Sequence, residues 1–485
     1  MRRLLLIVSL LLAFAAPAHA GGPQMVMGTN DFNMLSKSFV AAKANMSLAK
    51  LAGFRAISVR EYWWPEVREP RPYDLQTLGN VDKAARLVGL RVYIGIMNPF
   101  GRYAPRTDEA QDDFAAFAAA TVKRFRSFKT VIFGNEPNKN QFWAPQFAED
   151  GTDSAAVEYE SLLAKAYDAV KAVSRNVTVV GGALAPHGGD DPNASTKAHS
   201  PTTFIRDIGA AYRASGRGKP IMDAFSFHPY GDNSSQPPSF RHDGSPTITL
   251  GDYGKLTRLL GKAFNGTAQL GSTLPIIYDE YGIESTIPSS KASKYTGKEP
   301  KSTKPVPPKL QGERYREAMA IAFCQPNVKA MFLFQSIDEP GRPQWQSGVY
   351  YTDHKPKPSL PIVREAMQEV KRGVIARCAG LHLAIKAKAV FPTPSHAASS
   401  AKSGRALTIK VRCNLDCRYT ASVVQLPTGR SVLARVGQAI GGKPSLLELP
   451  ARKLTKGRYQ LIISMVAAMN RGKAVRKASK PFAVG

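Results

Sequence analysis

Eight short apolar runs recur along the first two thirds of the chain, at residues 25–29, 54–60, 91–98, 131–135, 177–184, 222–230, 275–281 and 328–335. Each is rich in β-branched, aliphatic or aromatic residues, and each predicts a buried strand. The stretches between them read differently. In residues 113–126, Phe114, Phe117, Val122 and Phe125 return near the helical period, and residues 155–174 form a second Ala- and Leu-rich amphipathic segment. Strand and helix in strict alternation imply parallel crossovers, and eight such units close a (β/α)8 barrel of the TIM type, with expected limits 21–380. Beyond residue 380 the period changes to two. Runs at 406–411, 419–425, 431–436, 458–465 and 473–478, with Pro427-Thr428-Gly429 as a turn, predict a small antiparallel β-sandwich of immunoglobulin or fibronectin type over 381–485. The Pro/Ser/Ala stretch at 392–404 reads as a linker or an internal loop, since strand-like residues 383–390 precede it.

Two of the eight runs end on a glutamate. The fourth leads into Gly134-Asn135-Glu136-Pro137-Asn138 and the seventh into Tyr278-Asp279-Glu280-Tyr281-Gly282. A carboxyl at the C-terminal end of a barrel strand reads as catalytic. A pair of them suits glycosidic bond cleavage, which needs one carboxyl to protonate the leaving oxygen and one to meet the oxocarbenium-like centre. Asn135-Glu136-Pro137 after strand 4, Ser226-Phe227-His228-Pro229-Tyr230 on strand 6 and Asp279-Glu280-Tyr281-Gly282 on strand 7 resemble clan A of the glycoside hydrolases, most closely its family 39 and family 5 types. The resemblance covers roughly residues 22–378. It implies a retaining β-glycosidase with Glu136 as acid/base and Glu280 as nucleophile; no cofactor and no metal are expected.

The same resemblance assigns substrate contacts. Asn135 would bond the sugar 2-hydroxyl, with turn formation as its plainer role. His228 and Tyr230 share one strand face because their spacing is two, and would orient the nucleophile and touch the sugar. Arg60, ending strand 2, resembles the clan's arginine that keeps the nucleophile charged; a rim ion pair with Glu61 or Glu66 is the competing account. Sugar rings present apolar C–H faces, so tryptophans on the catalytic side are platform candidates. Trp63, Trp64, Trp143 and Trp345 follow strands 2, 4 and 8. Many clan members end strand 8 on Trp, whereas this chain reads Phe334-Gln335-Ser336. Either Trp345 folds back to supply the platform or the sugar site has an unusual shape, and Gln335 joins Trp143 and Trp345 as an expected substrate contact.

Composition adds a compartment. Met1-Arg2-Arg3, an apolar run over 4–16 and Ala18-His19-Ala20 form a secretory signal pattern with cleavage after residue 20. No apolar run is long enough to span a membrane comfortably. In an oxidising setting Cys324, Cys378, Cys413 and Cys417 are expected to form disulfides; split across two domains, they do not supply a zinc site. Residues 381–485 carry 19 Lys plus Arg against Asp416 and Glu448, a net +17 out of the chain's +29. Such a domain would attract an anionic cell-wall polymer, or its charge would merely keep it soluble. A nucleic-acid partner is disfavoured by the export signal and the lack of a recognition motif. Residues 287–311, rich in Lys, Pro and Ser, form a long segment after strand 7 that is either a solvated insertion or a substrate-gripping loop. The readings that compete with a hydrolase are a non-catalytic carbohydrate- or wall-binding protein on a barrel scaffold and a transglycosylase.

Overall fold

The computed structural model describes residues 21–375, 378, 383–450, 452–469 and 471–485. The expected signal segment and the expected domain junction at 380/381 lie outside the described residues.

Eight parallel strands close a barrel in sequence order: β1 (Val26–Asn30), β2 (Ala56–Tyr62), β3 (Arg91–Met97), β4 (Thr130–Phe133), β5 (Thr178–Leu184), β6 (Ala224–Phe227), β7 (Ile276–Tyr281) and β8 (Val328–Phe334). The helices between and after them are α1 (Phe39–Ala52), α2 (Pro72–Val88), α3 (Asp108–Arg124), α4 (Ser154–Val173), α5 (Pro201–Ala214), α6 (Tyr253–Phe264), α7 (Pro308–Phe323) and α8 (Ser359–Arg372). The strands are near-continuous apolar runs because helices cover one face and the barrel interior the other. Helix starts follow capping chemistry: Ser38, Thr107, Asp153 and Ser200 each accept a backbone N–H from the first turn. The barrel axis is filled by side chains that include Val26, Ala56, Tyr93, Ile132, Ile277 and Phe332. Tyr93 and Phe332 meet edge-on with ring centroids 4.7 Å apart. Gly28 makes room for them, since a Cβ there would fall 2.3 Å from the Phe332 ring.

The C-terminal domain contains two antiparallel sheets. One has the order β13 (Pro444–Leu449), β10 (Leu407–Cys413), β9 (Ala387–Val390); the other runs β12 (Arg430–Ala439), β11 (Cys417–Leu426), β14 (Gly457–Ala467), β15 (Val475–Ala478), with β16 (Phe482–Val484) also on β14. Period-two burial makes each strand two-faced: Leu407, Ile409 and Val411 are buried while Lys410 and Arg412 are exposed. Residues 392–404 are neither linker nor loop. They carry the helix α9 (Pro394–Ser403), capped by Thr393 and by Gly404 in the left-handed region, with Ala397, Ser400 and Ala401 buried. Ala, Ser and Lys are compatible with a helix once Pro is confined to its first position, which is where Pro394 stands.

Disulfides join Cys324 to Cys378 and Cys413 to Cys417. The domain meets the barrel at the C-terminal end of α8, where Asp416 N–H donates to the Arg372 carbonyl at 3.1 Å and Leu383 and Leu415 flank Gly373 and Pro23. Helices run back against the strands they follow, so this contact lies at the end of the barrel remote from the strand C-termini.

Residues 287–311 are largely exposed, but the segment is anchored by Tyr295, Val306 and Gln311, which are buried. Thr296 N–H donates to the Pro340 carbonyl and accepts, through its own carbonyl, from Arg342 N–H at 2.7 Å. Tyr295 donates to Asp338 Oδ2 at 2.7 Å, and the other Asp338 oxygen meets the fully buried Lys357 ammonium at 2.7 Å. Lys357 also donates to Ser285 Oγ and the Gln346 carbonyl. A buried cation with an anion and two further acceptors is satisfied, and this knot fixes the loop after β8.

Candidate active site

The strand C-termini open into a cavity of about 600 Å³, lined by residues that include Arg60, Tyr62, Asn135, Glu136, Lys139, Tyr230, Glu280, Phe334 and Trp345. Glu136 reaches it through a turn. After β4, Gly134 has φ 82° and Glu136 itself φ 42°, a region that costs a non-glycine residue energy unless the surroundings hold it. Here Glu136 N–H donates to the Ala183 carbonyl on β5, and its carbonyl accepts from Lys139 N–H, both at 2.8 Å.

Glu280 arrives by an irregularity. Adjacent residues of a regular strand point to opposite faces, yet Asp279 and Glu280 both meet Arg60, at 2.6 Å and 3.0 Å. The pairing of β7 with β8 slips between Tyr278 and Tyr281, and such a bulge re-aims side chains. Gly95 on β3 completes the arrangement, because a Cβ there would lie 2.5 Å from the Arg60 guanidinium. Glu280 Oε1 also accepts from Asn30 at 3.2 Å, and its Oε2 from Tyr230 at 3.0 Å.

His228 is fully buried between three carboxyl groups. Its Nδ1 lies 3.1 Å from Glu136 Oε1 and 3.6 Å from Glu280 Oε2, and its Nε2 lies 3.1 Å from Asp279 Oδ1. Burial opposes charge on the ring, but attraction to Glu280 and Asp279 outweighs it and pushes the imidazole up to about 10. At neutral pH it is an imidazolium whose Nδ1–H donates to Glu136. For Asp279, burial is overcome by His228 and Arg60, so its carboxyl is held well below the usual range; Ser226 also donates to it. Burial pushes the Tyr230 hydroxyl well up, and Glu280 and Glu136 add to that, so it acts as a donor.

Of the residues expected from the sequence, Arg60, Asn135, Glu136, Tyr230, Glu280 and Trp345 line one cavity, with His228 directly beneath. Arg60 takes no rim ion pair with Glu61 or Glu66. Trp345 does fold back: its ring lies 5.1 Å from Tyr230 and 5.3 Å from Phe334, centroid to centroid. Its loop is closed by Trp345 N–H to Glu339 Oε2 and by the Asp338–Lys357 knot. Trp143 and Gln335 require correction. Trp143 is buried edge-on against Tyr159, with its indole N–H on Glu158, because α4 covers the β4 loop there. Gln335 is fully buried and does not line the cavity. Trp63 is core as well, packed on Phe114.

Sequence reading missed Asn30, Asp279 and Gly95 as supports, and Phe32, Lys139, His187 and Asp232 as lining. Asp279 carried a signal, being an acid within an apolar run. The loop residues had none. Among the described residues no group of His, Cys, Asp and Glu could hold a metal ion, and no helix there is long and apolar enough to cross a membrane.

No family model matches the chain, and no curated protein does. Solved structures align with it at low identity. Bacteroides uniformis beta-glucuronidase 2, covalently bound to cyclophellitol-6-carboxylate aziridine, is 12% identical over 96% of this chain and 46% of its own, with a TM-score of 0.43. GH5_18 from Streptomyces cattleya in complex with GlcNAc is 15% identical over 73% of this chain and 81% of its own, with a TM-score of 0.48. The exo-beta-1,4-mannosidase Op5Man5 from Opitutaceae bacterium strain TAV5 is 13% identical over 73% and 60%, with a TM-score of 0.42. The chain thus spans less than half the length of the beta-glucuronidase.

Proposed function

We propose that this protein is an exported retaining glycoside hydrolase acting on a β-linked oligo- or polysaccharide, with Glu280 as nucleophile and Glu136 as acid/base. The observation that carries the reading is that carboxylate oxygens from the ends of β4 and β7 lie 3.1 Å and 3.6 Å from one imidazole nitrogen. Their separation is therefore bounded by the sum of those distances. That bound reaches only the lower edge of the roughly 6.5–9.5 Å that an inverting pair needs to admit water, and it accommodates the roughly 5–5.5 Å of a double-displacement pair.

In this mechanism a Glu280 oxygen attacks the anomeric carbon while the C–O bond to the leaving group breaks and Glu136 donates its proton to the departing oxygen. Water then attacks the glycosyl ester; Glu136 takes the water proton and Glu280 is released. Arg60, Asn30 and Tyr230 aim Glu280. Asn135, beside the acid, would hold the sugar 2-hydroxyl, and Trp345 with Phe334 would offer the apolar ring faces that the missing strand-end tryptophan would otherwise supply.

Export is supported by the N-terminal signal pattern and by two disulfides. We assign an anionic polymer to the C-terminal domain, supported by an exposed sheet face on which Lys388 lies opposite Arg412, with Lys410 two residues along the same strand. A panel of aryl β-glycosides with NMR detection of the first-formed anomer tests the reaction. Release of the β-anomer supports the assignment, and release of the α-anomer overturns retention.

A further inference from the structure

The cavity wall has two chemically different arcs. One arc, from β8, β1 and β2 and the loops after them, carries Phe334, Trp345, Phe32 and Tyr62 beside Glu339; the other, from the loops after β4, β5 and β6, carries Lys139, His187 and Asp232 beside Phe142 and is the more polar. Lys139 stands on the same loop as Glu136 and lines the same cavity, and with Glu136 as proton donor to the leaving oxygen we take that loop as the leaving-group side.

Lys139 is held as a fixed point. Its N–H donates to the Glu136 carbonyl, its carbonyl accepts from both Phe142 and Trp143 N–H, and its backbone bridges Ala198. Its ammonium is half-buried; burial holds it below its ordinary value although the Glu136 carboxyl attracts it, and among the described residues no carboxylate comes within ion-pair distance of it. The neighbouring charges are committed elsewhere. Asp232 accepts from Gln236 at 2.7 Å and pairs with His242 at 3.1 Å. Burial holds the His187 ring below its ordinary value despite Asp232, so it faces the cavity uncharged at neutral pH. A half-buried cation whose one attracting carboxyl is not in direct contact is costly, and an anion brought by the ligand relieves that cost.

We propose that Lys139 makes this a site for a leaving group bearing a carboxylate, as on a uronic acid residue, so that the substrate is an acidic glycan. The Arg60 guanidinium is taken up by Asp279 and Glu280, so the cation offered on this arc is a single ammonium, which matches a monoanion. The inference rests on the assignment of Glu136 as the acid/base residue.

The test uses matched phenyl and 4-carboxyphenyl β-glycosides of one sugar. Dissociation constants are measured on Glu280→Gln protein and on the same protein carrying Lys139→Met or Lys139→Arg, and kcat/KM is measured on otherwise wild-type protein with the same Lys139 changes. The carboxylated compound is expected to bind about tenfold more tightly. Lys139→Met should erase that ratio and Lys139→Arg should keep most of it. Equal binding of the two compounds, or a ratio that survives Lys139→Met, overturns the proposal. A binding ratio that behaves as expected without turnover of either compound supports the anion site and instead sinks the glycosidase reading.

Discussion

The cavity at the strand C-termini and the C-terminal domain use charge in opposite ways. In the cavity Arg60, Asp279 and His228 are buried, each within ion-pair distance of at least one opposite partner. In the domain, Lys388, Lys410 and Arg412 stand on a solvent-facing sheet. Buried charges need partners or they destabilise the fold, so their geometry is dictated and they can orient a reacting group. Exposed charges need none, are screened by salt, and supply attraction without direction.

The largest break in that contrast is Glu280→Ala. Losing the attacking oxygen should lower kcat by on the order of 10⁴-fold or more on every substrate, with partial rescue of activated aryl glycosides by azide. Wild-type rates in that variant would remove the nucleophile assignment.

Glu136→Ala should discriminate by leaving group. Glycosides with poor leaving groups should lose about 10²–10⁴-fold in kcat/KM, whereas activated aryl glycosides should keep much of their glycosylation rate. Equal losses on both would make Glu136 a positional group rather than an acid.

Asp279→Ala tests the buried charges directly. It strips Arg60 and His228 of a shared anion and should cost about 3–5 kcal/mol in denaturant unfolding. A triple change of Lys388, Lys410 and Arg412 to Ser should cost almost nothing in stability. Comparable losses from the two would erase the distinction.

A smaller effect is stability against pH. Burial and Asp74 push the Glu61 carboxyl up to about 8 from an ordinary 4.5, and His228 is raised to about 10 from 6.5. Both folded-state values lie above the unfolded ones, so the folded protein holds protons that the unfolded chain releases. The contribution is complete below the ordinary values and is lost as pH rises, through about 8 for Glu61 and about 10 for His228. Urea midpoints should therefore fall from about pH 6 to about pH 10, and a flat profile would contradict the burial of these protons.

The smallest effect is at the domain. The Lys388/Lys410/Arg412→Ser protein should bind an anionic polysaccharide several-fold less tightly at low salt, and the difference should vanish near 1 M salt. A difference that persists at high salt would mean a built site rather than a charged surface.

The barrel was legible because alternating strand and helix patterns extend over many residues each and admit few closures. The placing of Glu136 and Glu280 at the strand C-termini was legible because a charged residue ending an apolar run is conspicuous. Helix α9 was not, since its Ala/Ser composition suits a loop equally well until Ala397, Ser400 and Ala401 find a surface to bury against. Trp143 and Gln335 were misplaced for a related reason. Position in sequence after a strand fixes the end of the barrel on which a residue lies, but only packing decides whether its side chain faces the cavity or the helix layer.

The sequence by itself determined the strand count, the barrel closure and the two carboxyl groups, because hydrophobic period and residue type are local quantities. Tertiary structure decided the rest: the bulge that turns Asp279 and Glu280 toward one guanidinium, the imidazolium lodged between three carboxyl groups, and the fold-back of Trp345. Each depends on groups far apart in the chain meeting within a few ångströms, where ion pairing and desolvation are strong, and no local pattern encodes those meetings.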